Sequence, residues 1–305
     1  KKLDTDAFKI SALGNYGLIQ VDITDVSAWL SISFANAAAN PLHHAGRLYV
    51  NGELFEELEI TELQNKIPDY AFYNATCLKS VTIRFGNVQI GENSFIGCTS
   101  ISDIDIDSKY LPTVVGDRVA NLETVVLSGS TPLAANAFKA ARKLMTVELN
   151  AGITAIGADA FDGCVALREV RTGNLSDWIK ISFETEKSNP LYYAHNLVRY
   201  DGSLITTVGI MSSDPVEIKQ HAFINATCLK TINIFDYMTV AKGAFKGCDQ
   251  INYASMCSKH ISNVLGDILN NLTYFKLESG NEFPDNAFKG AAKLTTVKNA
   301  PKIIG

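Results

Sequence analysis

Apolar residues recur along this chain in a fixed pattern that begins with an Ala-Phe or Ser-Phe pair. Aliphatic residues follow the Phe by six, nine and eleven positions in most copies, as at Leu78, Val81 and Ile83 after Phe72. The last two positions alternate with polar residues, which is the period of a strand with one buried face. We therefore predict one short strand per repeat. The seven pairs end at Phe72, Phe95, Phe138, Phe161, Phe223, Phe245 and Phe288.

The residues around each pair predict a short helical turn on the side opposite the strand. An apolar residue such as Ile67 or Ile90 lies four positions before each Ala or Ser, a spacing that suits one helical turn. Two positions after the Phe, six copies have Gly or Asn and the seventh has Ala140. Gly and Asn accept the left-handed conformation that ends a helix. Ala140 is therefore the exception to the expected chemistry.

The position after this helix-ending residue accepts only Ala or Cys, as at Ala75 and Cys98. Such a column predicts a tightly packed interior, because an unpaired Cys behaves as a small apolar residue. One repeat cannot bury its own Phe, Leu and Val, so the repeats must stack on one another. We predict an α/β repeat solenoid with one short strand per 21–23 residues and helical turns on the opposite side.

A longer period is superimposed on the short one. Phe95 is matched by Phe245 and Leu122 by Leu272, each 150 residues later. Because the repetition continues throughout, we predict a single domain over residues 1–305, built as two tandem units of about 150 residues.

Each tandem unit contains one insert, at residues 29–60 and 178–210. The inserts begin at Trp29 and Trp178, which we interpret as structural anchors rather than ligand platforms because both copies keep them. Each insert then has an Asn-Pro turn and an Asn-Gly or Asp-Gly dipeptide, which favours a tight hairpin. We predict that the second hairpin strand rejoins the main sheet.

The phrase I-x-x-x-A-F-x-G-C-x-x-L-x-x-V-x-I, with these Trp-led inserts, resembles the BspA-like leucine-rich-repeat proteins of bacterial and some protist surfaces. The resemblance covers nearly the whole chain. It implies a leucine-rich-repeat right-handed superhelix. It also implies a non-enzymatic, secreted or surface-exposed protein that adheres to host or matrix proteins, other cells or glycans, with no catalytic residues to carry over. A structural spacer that holds another domain away from the envelope is the alternative.

The charge of the chain argues against a nucleic-acid partner, and its hydropathy argues against a membrane-spanning segment. The chain has 27 Lys and Arg against 32 Asp and Glu, a net charge of -5, and offers no basic surface for a phosphate backbone. No apolar run approaches the roughly 20 residues that cross a bilayer. We expect no nucleic-acid partner, no membrane-spanning segment and a monomer. Because Ile304-Gly305 matches Ile156-Gly157, the opening of a repeat, we interpret the chain as a mature or trimmed fragment.

Most of the six cysteines are expected to be free and buried. Column mates far apart along a solenoid cannot form a disulfide, which needs Cα atoms within about 7 Å. Cys257 differs, because it falls just past a strand triplet, near the expected exposed edge of the sheet, and is a candidate reactive thiol. The other five are Cys98, Cys164 and Cys248 in the Ala/Cys column, and Cys77 and Cys228 in two copies of the phrase NATCL.

Motifs typical of catalysis or metal binding are not found in the sequence. It has no Cys-x-x-Cys, no His-Glu-x-x-His and no Gly-rich phosphate loop. His43 and His44 are replaced by Tyr192 and Tyr193 in the second insert, which is more typical of packing or surface contact than of metal ligation. We expect no enzymatic activity, no metal and no cofactor.

Function is expected on the open strand face, where residues between the apolar strand positions point outward. Many of these are Thr, which simply suits exposed strands. An acidic group and a tyrosine pair are the better candidates for contact with a protein or glycan partner, because exposed aromatic residues concentrate at interfaces. A solvated face without a ligand is the alternative. The candidate residues are Asp103, Asp105, Asp107, Glu148, Arg171, Tyr253, Tyr274 and Lys276.

Overall fold

The computed structural model describes residues 17–211, 214–280 and 282–299, together with the backbone of residues 2–3. The chain divides into two compact units, Lys1–Thr131 and Pro132–Gly305. The repeat opening expected at Ile304-Gly305 lies outside the described residues.

Unit 1 consists mostly of short strands joined by turns. Its helices are α1 (Val26–Leu30), α2 (Leu42–Ala45) and α3 (Leu111–Val114), with 3-10 turns at Ala37–Ala39, Ser108–Tyr110 and Arg118–Asn121. Its strands are β1 (Lys2–Leu3), β2 (Val21–Ile23), β3 (Ser33–Phe34), β4 (Leu48–Val50), β5 (Glu53–Leu54), β6 (Glu57–Glu59), β7 (Lys66–Ile67), β8 (Ser80–Ile83), β9 (Gln89–Ile90), β10 (Asp103–Asp107) and β11 (Thr124–Ser128).

Unit 2 likewise consists mostly of short strands joined by turns. Its helices are α4 (Leu175–Trp178), α5 (Leu191–Ala194) and α6 (Ile261–Ile268), with 3-10 turns at Glu186–Ser188, Ser258–His260 and Leu269–Asn271. Its strands are β12 (Thr146–Leu149), β13 (Ala155–Ile156), β14 (Glu169–Arg171), β15 (Ser182–Phe183), β16 (Leu197–Val198), β17 (Thr207–Val208), β18 (Val216–Ile218), β19 (Thr231–Ile234), β20 (Met238–Val240), β21 (Tyr253–Met256), β22 (Tyr274–Leu277) and β23 (Thr296–Asn299).

The predicted strand of each repeat is confirmed, and strands of successive repeats pair in parallel. In unit 1 the order is β6, β8, β10, β11; unit 2 has β12, β14, β16 and, separately, β17, β19, β21, β22, β23. Ser80 pairs with Asp103, and Asp103 pairs with Thr124, so one repeat advances the register by 21 to 23 residues. The alternation is as expected, since Val81 and Ile83 are fully buried. The right-handed superhelical path remains a prediction.

The predicted helical turn at the Ala-Phe pair is wrong for the Phe-containing repeats. Their backbone forms non-helical turns that bond to the next repeat: the Phe72 N–H donates to the Ser94 carbonyl at 2.9 Å, and the Asn74 N–H donates to the Ile96 carbonyl at 2.6 Å. A helix would direct these N–H groups along its own axis. The turns therefore form a second backbone ladder between repeats. Helices α3 and α6 occur only in the two repeats that lack the pair.

The apolar residue ahead of the pair lies in a short strand rather than in a helix. Ile67 in β7 pairs with Ile90 in β9, and β18 pairs with β20 in unit 2. The repeat therefore has two parallel ladders of strands, one of which the 3.6-residue spacing misidentified.

Two columns of left-handed residues shape each turn. The column two positions after the Phe has positive φ in every copy, including Ala140 at +62°. A second column, two positions before the Phe, is also left-handed in every copy and was not predicted. Its members are Tyr70, Asn93, Asn136, Asp159, His221, Gly243 and Asn286. Six of the seven are Asn, Asp, His or Gly, which adopt positive φ more readily than other residues. This preference is the feature of the sequence that indicates the second column.

The predicted hairpins form in both inserts, and the apolar triplet after each hairpin turn pairs with a repeat strand. In unit 1, β4 pairs in parallel with β2 and antiparallel with β5, whereas β6 pairs with β8 in the next sheet. The first hairpin strand therefore extends the preceding sheet, and the apolar triplet after the hairpin begins a new one. The expectation that the chain after the hairpin turn rejoins the repeat sheet is confirmed at the triplets, because β6 pairs with β8 and β17 pairs with β19. The antiparallel return strand β5 is a separate short element that ends at Leu54.

The core is a stack of Phe rings supported by the cysteine column. Phe72 and Phe95 stack with centroids 5.7 Å apart, and Phe223 and Phe245 stack at 5.3 Å. The Cys98 thiol donates to the Phe72 carbonyl of the preceding repeat at 3.0 Å. Cys in this column therefore packs as Ala does and also satisfies a backbone carbonyl.

All six cysteines are free and buried, which confirms the expectation for five of them. The expectation for Cys257 was wrong: only 4% of its surface is exposed, at the point where its strand continues into the 3-10 turn Ser258–His260. Cys77 and Cys228 have a further role, as their sulfurs accept from the N–H groups of Leu48 and Leu197 at the start of β4 and β16.

Replacing Ala140 by Gly should raise the free energy of unfolding by about 0.5 to 1 kcal/mol, because Gly removes the steric cost of positive φ. Chemical denaturation monitored by circular dichroism measures the change. The matched control is Gly290→Ala, at φ +92° with no atom within 4 Å of an added Cβ. This substitution should lower stability by about 1 kcal/mol. Destabilisation by Ala140→Gly would contradict the left-handed assignment.

Thiol labelling at neutral pH should modify none of the six cysteines rapidly in the native chain and all six after denaturation. Burial raises the pKa of the Cys98 and Cys164 thiols to about 12, so little thiolate forms. The variant Cys257→Ser is the control, because a fast-reacting thiol that disappears in this variant would restore the original expectation.

Candidate functional site

The outward face of the unit 1 sheet has acidic residues in adjacent register positions. Asp105 lies beside Thr82 on β8 and Val126 on β11, and Asp103 occupies the preceding outward position of β10. We refer to the outward residues of β6, β8, β10 and β11 as the unit 1 face. The three predicted aspartates lie together on its central strand.

All three aspartates already have partners, and the Ser102 hydroxyl donates to the Asp103 carboxylate at 2.5 Å. The Arg84 guanidinium lies 2.7 Å from the Asp105 carboxylate, and the Asp107 carboxylate accepts from the Lys109 N–H at 3.0 Å. Because the side chain of Arg84 is 62% exposed, solvent screens this ion pair and its contribution is small, about 0 to 1 kcal/mol. Asp107 caps the turn that follows β10. The three aspartates therefore have structural contacts that a partner would have to share.

The sequence reasoning missed two carboxylates of the unit 1 face. Glu57 pairs in register with Ser80 and Glu59 with Thr82, and both glutamates are exposed. They occupy the outward positions around buried Leu58, where the same alternation that selected Asp103 would have found them.

In the first sheet of unit 2, the predicted Glu148 and Arg171 are register partners on β12 and β14. The Arg171 guanidinium Nε donates to the Glu169 carboxylate on its own strand at 2.8 Å. Tyr200, half-exposed and also missed, hydrogen-bonds to Asn150, and burial followed by the charge of Glu148 raises its pKa. The outward residues of β12 and β14, together with Tyr200, therefore form a local polar network.

The second sheet of unit 2 places Tyr253 and Tyr274 side by side on β21 and β22. Their rings are parallel, with centroids 4.9 Å apart and an interplanar angle of 9°. Both side chains are partly exposed, and Thr231 and Thr296 flank them in the same register row. The two predicted tyrosines therefore form one aromatic surface.

Two lysines lie in the next register row. The Lys276 Nζ is 2.8 Å from the Glu278 carboxylate, whose hydrogen bond raises the pKa of the lysine. Lys298 pairs in register with Lys276, is exposed, and places its Nζ 5.8 Å from the Tyr274 ring centroid. Lys298 was not among the selected candidates, although it occupies an outward strand position. We refer to Tyr253, Tyr274, Lys276 and Lys298 as the tyrosine-lysine patch.

The insert tryptophans make anchoring contacts with the repeats. The Trp29 indole N–H donates to the Ala71 carbonyl at 3.0 Å, and Trp178 makes the equivalent bond to Ala222 at 2.9 Å. The fully buried Asn40 amide donates to the Tyr70 carbonyl at 2.6 Å. These aromatic and amide groups are used in docking the inserts.

Among the residues with described positions, no group of three or more His, Cys, Asp or Glu side chains is arranged to hold a metal ion. Within the same residues, every helix is too short or too polar to cross a bilayer.

Three solved structures are similar to this chain at low identity. A leucine-rich cell surface protein from Faecalibacterium prausnitzii is 19% identical over 83% of this chain and 80% of its own, with a TM-score of 0.32. A leucine-rich repeat protein from Bacteroides ovatus is 16% identical over 75% and 43%, with a TM-score of 0.26. An internalin from Listeria monocytogenes is 9% identical over 87% and 77%, with a TM-score of 0.28. No curated protein matches the sequence.

One protein-family model matches most of the chain. The model of the BspA type leucine rich repeat region matches residues 48–168, 117–190 and 200–304, which include the Ala-Phe turns and the repeat strands described above. The match covers well over half of the chain. The chain therefore belongs to the BspA-type leucine-rich-repeat family.

Proposed function

We propose that this chain is a non-enzymatic binding module that recognises a protein partner through the outward strand faces, chiefly the tyrosine-lysine patch. The observation that carries the proposal is the parallel stacking of Tyr253 and Tyr274 on neighbouring strands. Solvent-facing tyrosines of this kind are typical of the residues that dominate binding energy at interfaces.

The stacked pair is suited to binding because it is already ordered. Tyrosine has few rotatable bonds, and each ring restricts the other in the parallel arrangement, so little conformational entropy remains to be lost on association. The strands beneath are hydrogen-bonded on both sides, by β19 and by β23. A partner therefore meets a rigid surface that carries aromatic carbon and two hydroxyl groups.

The geometry favours a protein over a glycan. A sugar ring stacks on an open aromatic face, but one face of Tyr274 is covered by Tyr253 and the Lys298 ammonium approaches the ring from the side of β23. The stack presents ring edges and hydroxyls instead, which suit backbone carbonyls and side-chain carboxylates. The neighbouring Lys298 adds a positive charge that favours an acidic contact region on the partner.

We place this module outside the cell or at its surface, in keeping with the family to which the chain belongs. The carboxylates of the unit 1 face and the network of Glu148 and Arg171 are secondary contact candidates, since most already have partners. A spacer function, in which neither face binds, is the competing interpretation.

The test is binding of the purified chain to a panel of extracellular matrix proteins and to a glycan array. The double variant Tyr253→Ala and Tyr274→Ala should raise the Kd for a bound protein by tenfold or more, since truncating an interface tyrosine commonly costs about 1 to 2 kcal/mol or more. Surface plasmon resonance measures the change, and circular dichroism verifies the fold.

The matched control is Thr231→Ala with Thr296→Ala, which truncates the residues flanking the tyrosines in the same register row. This control should keep the parent affinity within a factor of about two, because rim contacts contribute little. Equal losses in both variants would contradict the patch, and no binding by the parent chain would favour the spacer. Binding to glycans alone would reject the protein partner.

A further inference from the structure

The first insert contains two adjacent histidines at its contact with the repeats. His43 and His44 lie in α2, and they are the only histidines of Lys1–Thr131. Histidine is the side chain whose ordinary pKa lies between pH 5 and 8.

Their rings are in direct contact with each other and with the neighbouring turn. The imidazole centroids of His43 and His44 are 4.5 Å apart at an interplanar angle of 88°, and His43 stacks on Tyr73 at 5.4 Å. His43 Nδ1 and His44 Nε2 are both buried, and neither has a hydrogen-bond partner in the described part of the chain. Protonating either nitrogen would create a buried N–H donor and a charge without an acceptor.

The same short helix docks the insert onto the next repeat. The Asn74 side-chain amide donates to the His43 carbonyl at 3.1 Å, and the Thr76 N–H donates to the Gly46 carbonyl at 2.9 Å. Gly46 ends α2 in a left-handed conformation. Displacement of α2 toward water would therefore break the hydrogen bonds that Asn74 and Thr76 make to the backbone carbonyls of His43 and Gly46.

The surroundings of His43 favour its neutral form. Burial, and after it the charge of His44, lower the pKa of His43. The other titratable groups facing it belong to the Ala-Phe turn: Tyr73, which stacks on it, and Tyr70, whose ring is 6.0 Å from that of Tyr73.

Acid therefore weakens the docked arrangement. A histidine whose pKa is lowered by docking binds protons more tightly when it is released. Its stabilising contribution is complete above its ordinary value of about 6.5 and is lost as the pH falls through and below that value.

The second insert has tyrosines instead of histidines in the corresponding helix, α5. Tyr192 and Tyr193 replace the two histidines, and the Tyr193 hydroxyl donates to the Asp162 carboxylate at 3.2 Å while accepting from the Gly163 N–H at 3.0 Å. Two other histidines are nearby: His195 ends α5 and its Nδ1 lies 3.1 Å from the Asn225 carbonyl oxygen, and His221 lies on the repeat. At His221 the charge of Glu186 opposes the lowering of the pKa by burial. The phenol groups of the second insert have hydrogen bonds that do not depend on a neutral imidazole.

We propose that the first insert is an acid-sensitive latch: protonation of His43 below about pH 6.5 releases α2 from the Ala-Phe turn of the next repeat, while the repeat strands of unit 1 stay intact. This proposal does not depend on the proposed binding function.

Hydrogen exchange with mass spectrometry on the whole chain tests the latch. Between pH 7.5 and pH 5.5, after correction for the intrinsic exchange rate, protection of peptides covering 42–46 and 74–77 should fall severalfold. Peptides from β8 and β10 serve as the reference within the same unit, and their protection should not change. Unchanged protection of the α2 peptides, or an equal loss in β8 and β10, would overturn the proposal.

The matched variant is His43→Tyr with His44→Tyr, which copies the residues of the second insert. Its α2 peptides should have the same protection at both pH values. The same acid-dependent loss in this variant would overturn the role of the histidines. If the double variant does not fold, His43→Tyr alone should reduce the pH dependence of protection in the α2 peptides. In either case, the pH dependence of protection in the wild-type chain decides whether the latch exists.

Discussion

Neighbouring repeats that carry the Ala-Phe pair hydrogen-bond to each other at two places, along the strand and along the Ala-Phe turn. The strand ladder is the ordinary parallel pattern. The turn ladder is less ordinary, since the N–H groups of Phe72 and Asn74 can reach the next repeat only if the backbone between the strands is pleated by left-handed residues. Stacking of the Phe rings depends on this ladder, because the ladder holds each ring over its neighbour at a distance close to that between adjacent strands.

This constraint explains which parts of the fold the sequence could predict. Apolar and polar residues alternate around Val81 and Ile83 because one face of the strand is buried, so the strands were predicted correctly. The Ala-Phe turn was misread, because an apolar spacing of four and five is shared by a helical turn and by a short strand followed by a tight turn. The distinguishing information lay in the left-handed column of Asn, Asp, His and Gly, which Tyr70 obscured.

The candidate site was predictable in position but not in detail. Outward strand positions follow from the period of two, which brought Tyr253 and Tyr274 together as expected. Which charges are already paired depends on neighbouring strands and on residues beyond the triplets, such as Arg84 and Glu278, and no single-repeat pattern contains that information. The burial of Cys257 likewise lies outside the strand triplet, at the start of the 3-10 turn Ser258–His260, which the repeat pattern does not contain.

The tandem organisation separates residues that hold the fold from residues that are free to differ. Positions 150 residues apart keep the same core side chain, as with Phe95 and Phe245, which are both fully buried. At the outward positions the residue type changes: Asp103 corresponds to Tyr253, and Glu148 corresponds to Lys298. An acidic residue is replaced by an aromatic one in the first case and by a basic one in the second, while the register is unchanged. The core constraint acts on inward side chains only, so the two copies can present chemically different faces at no cost to the stacking that supports them.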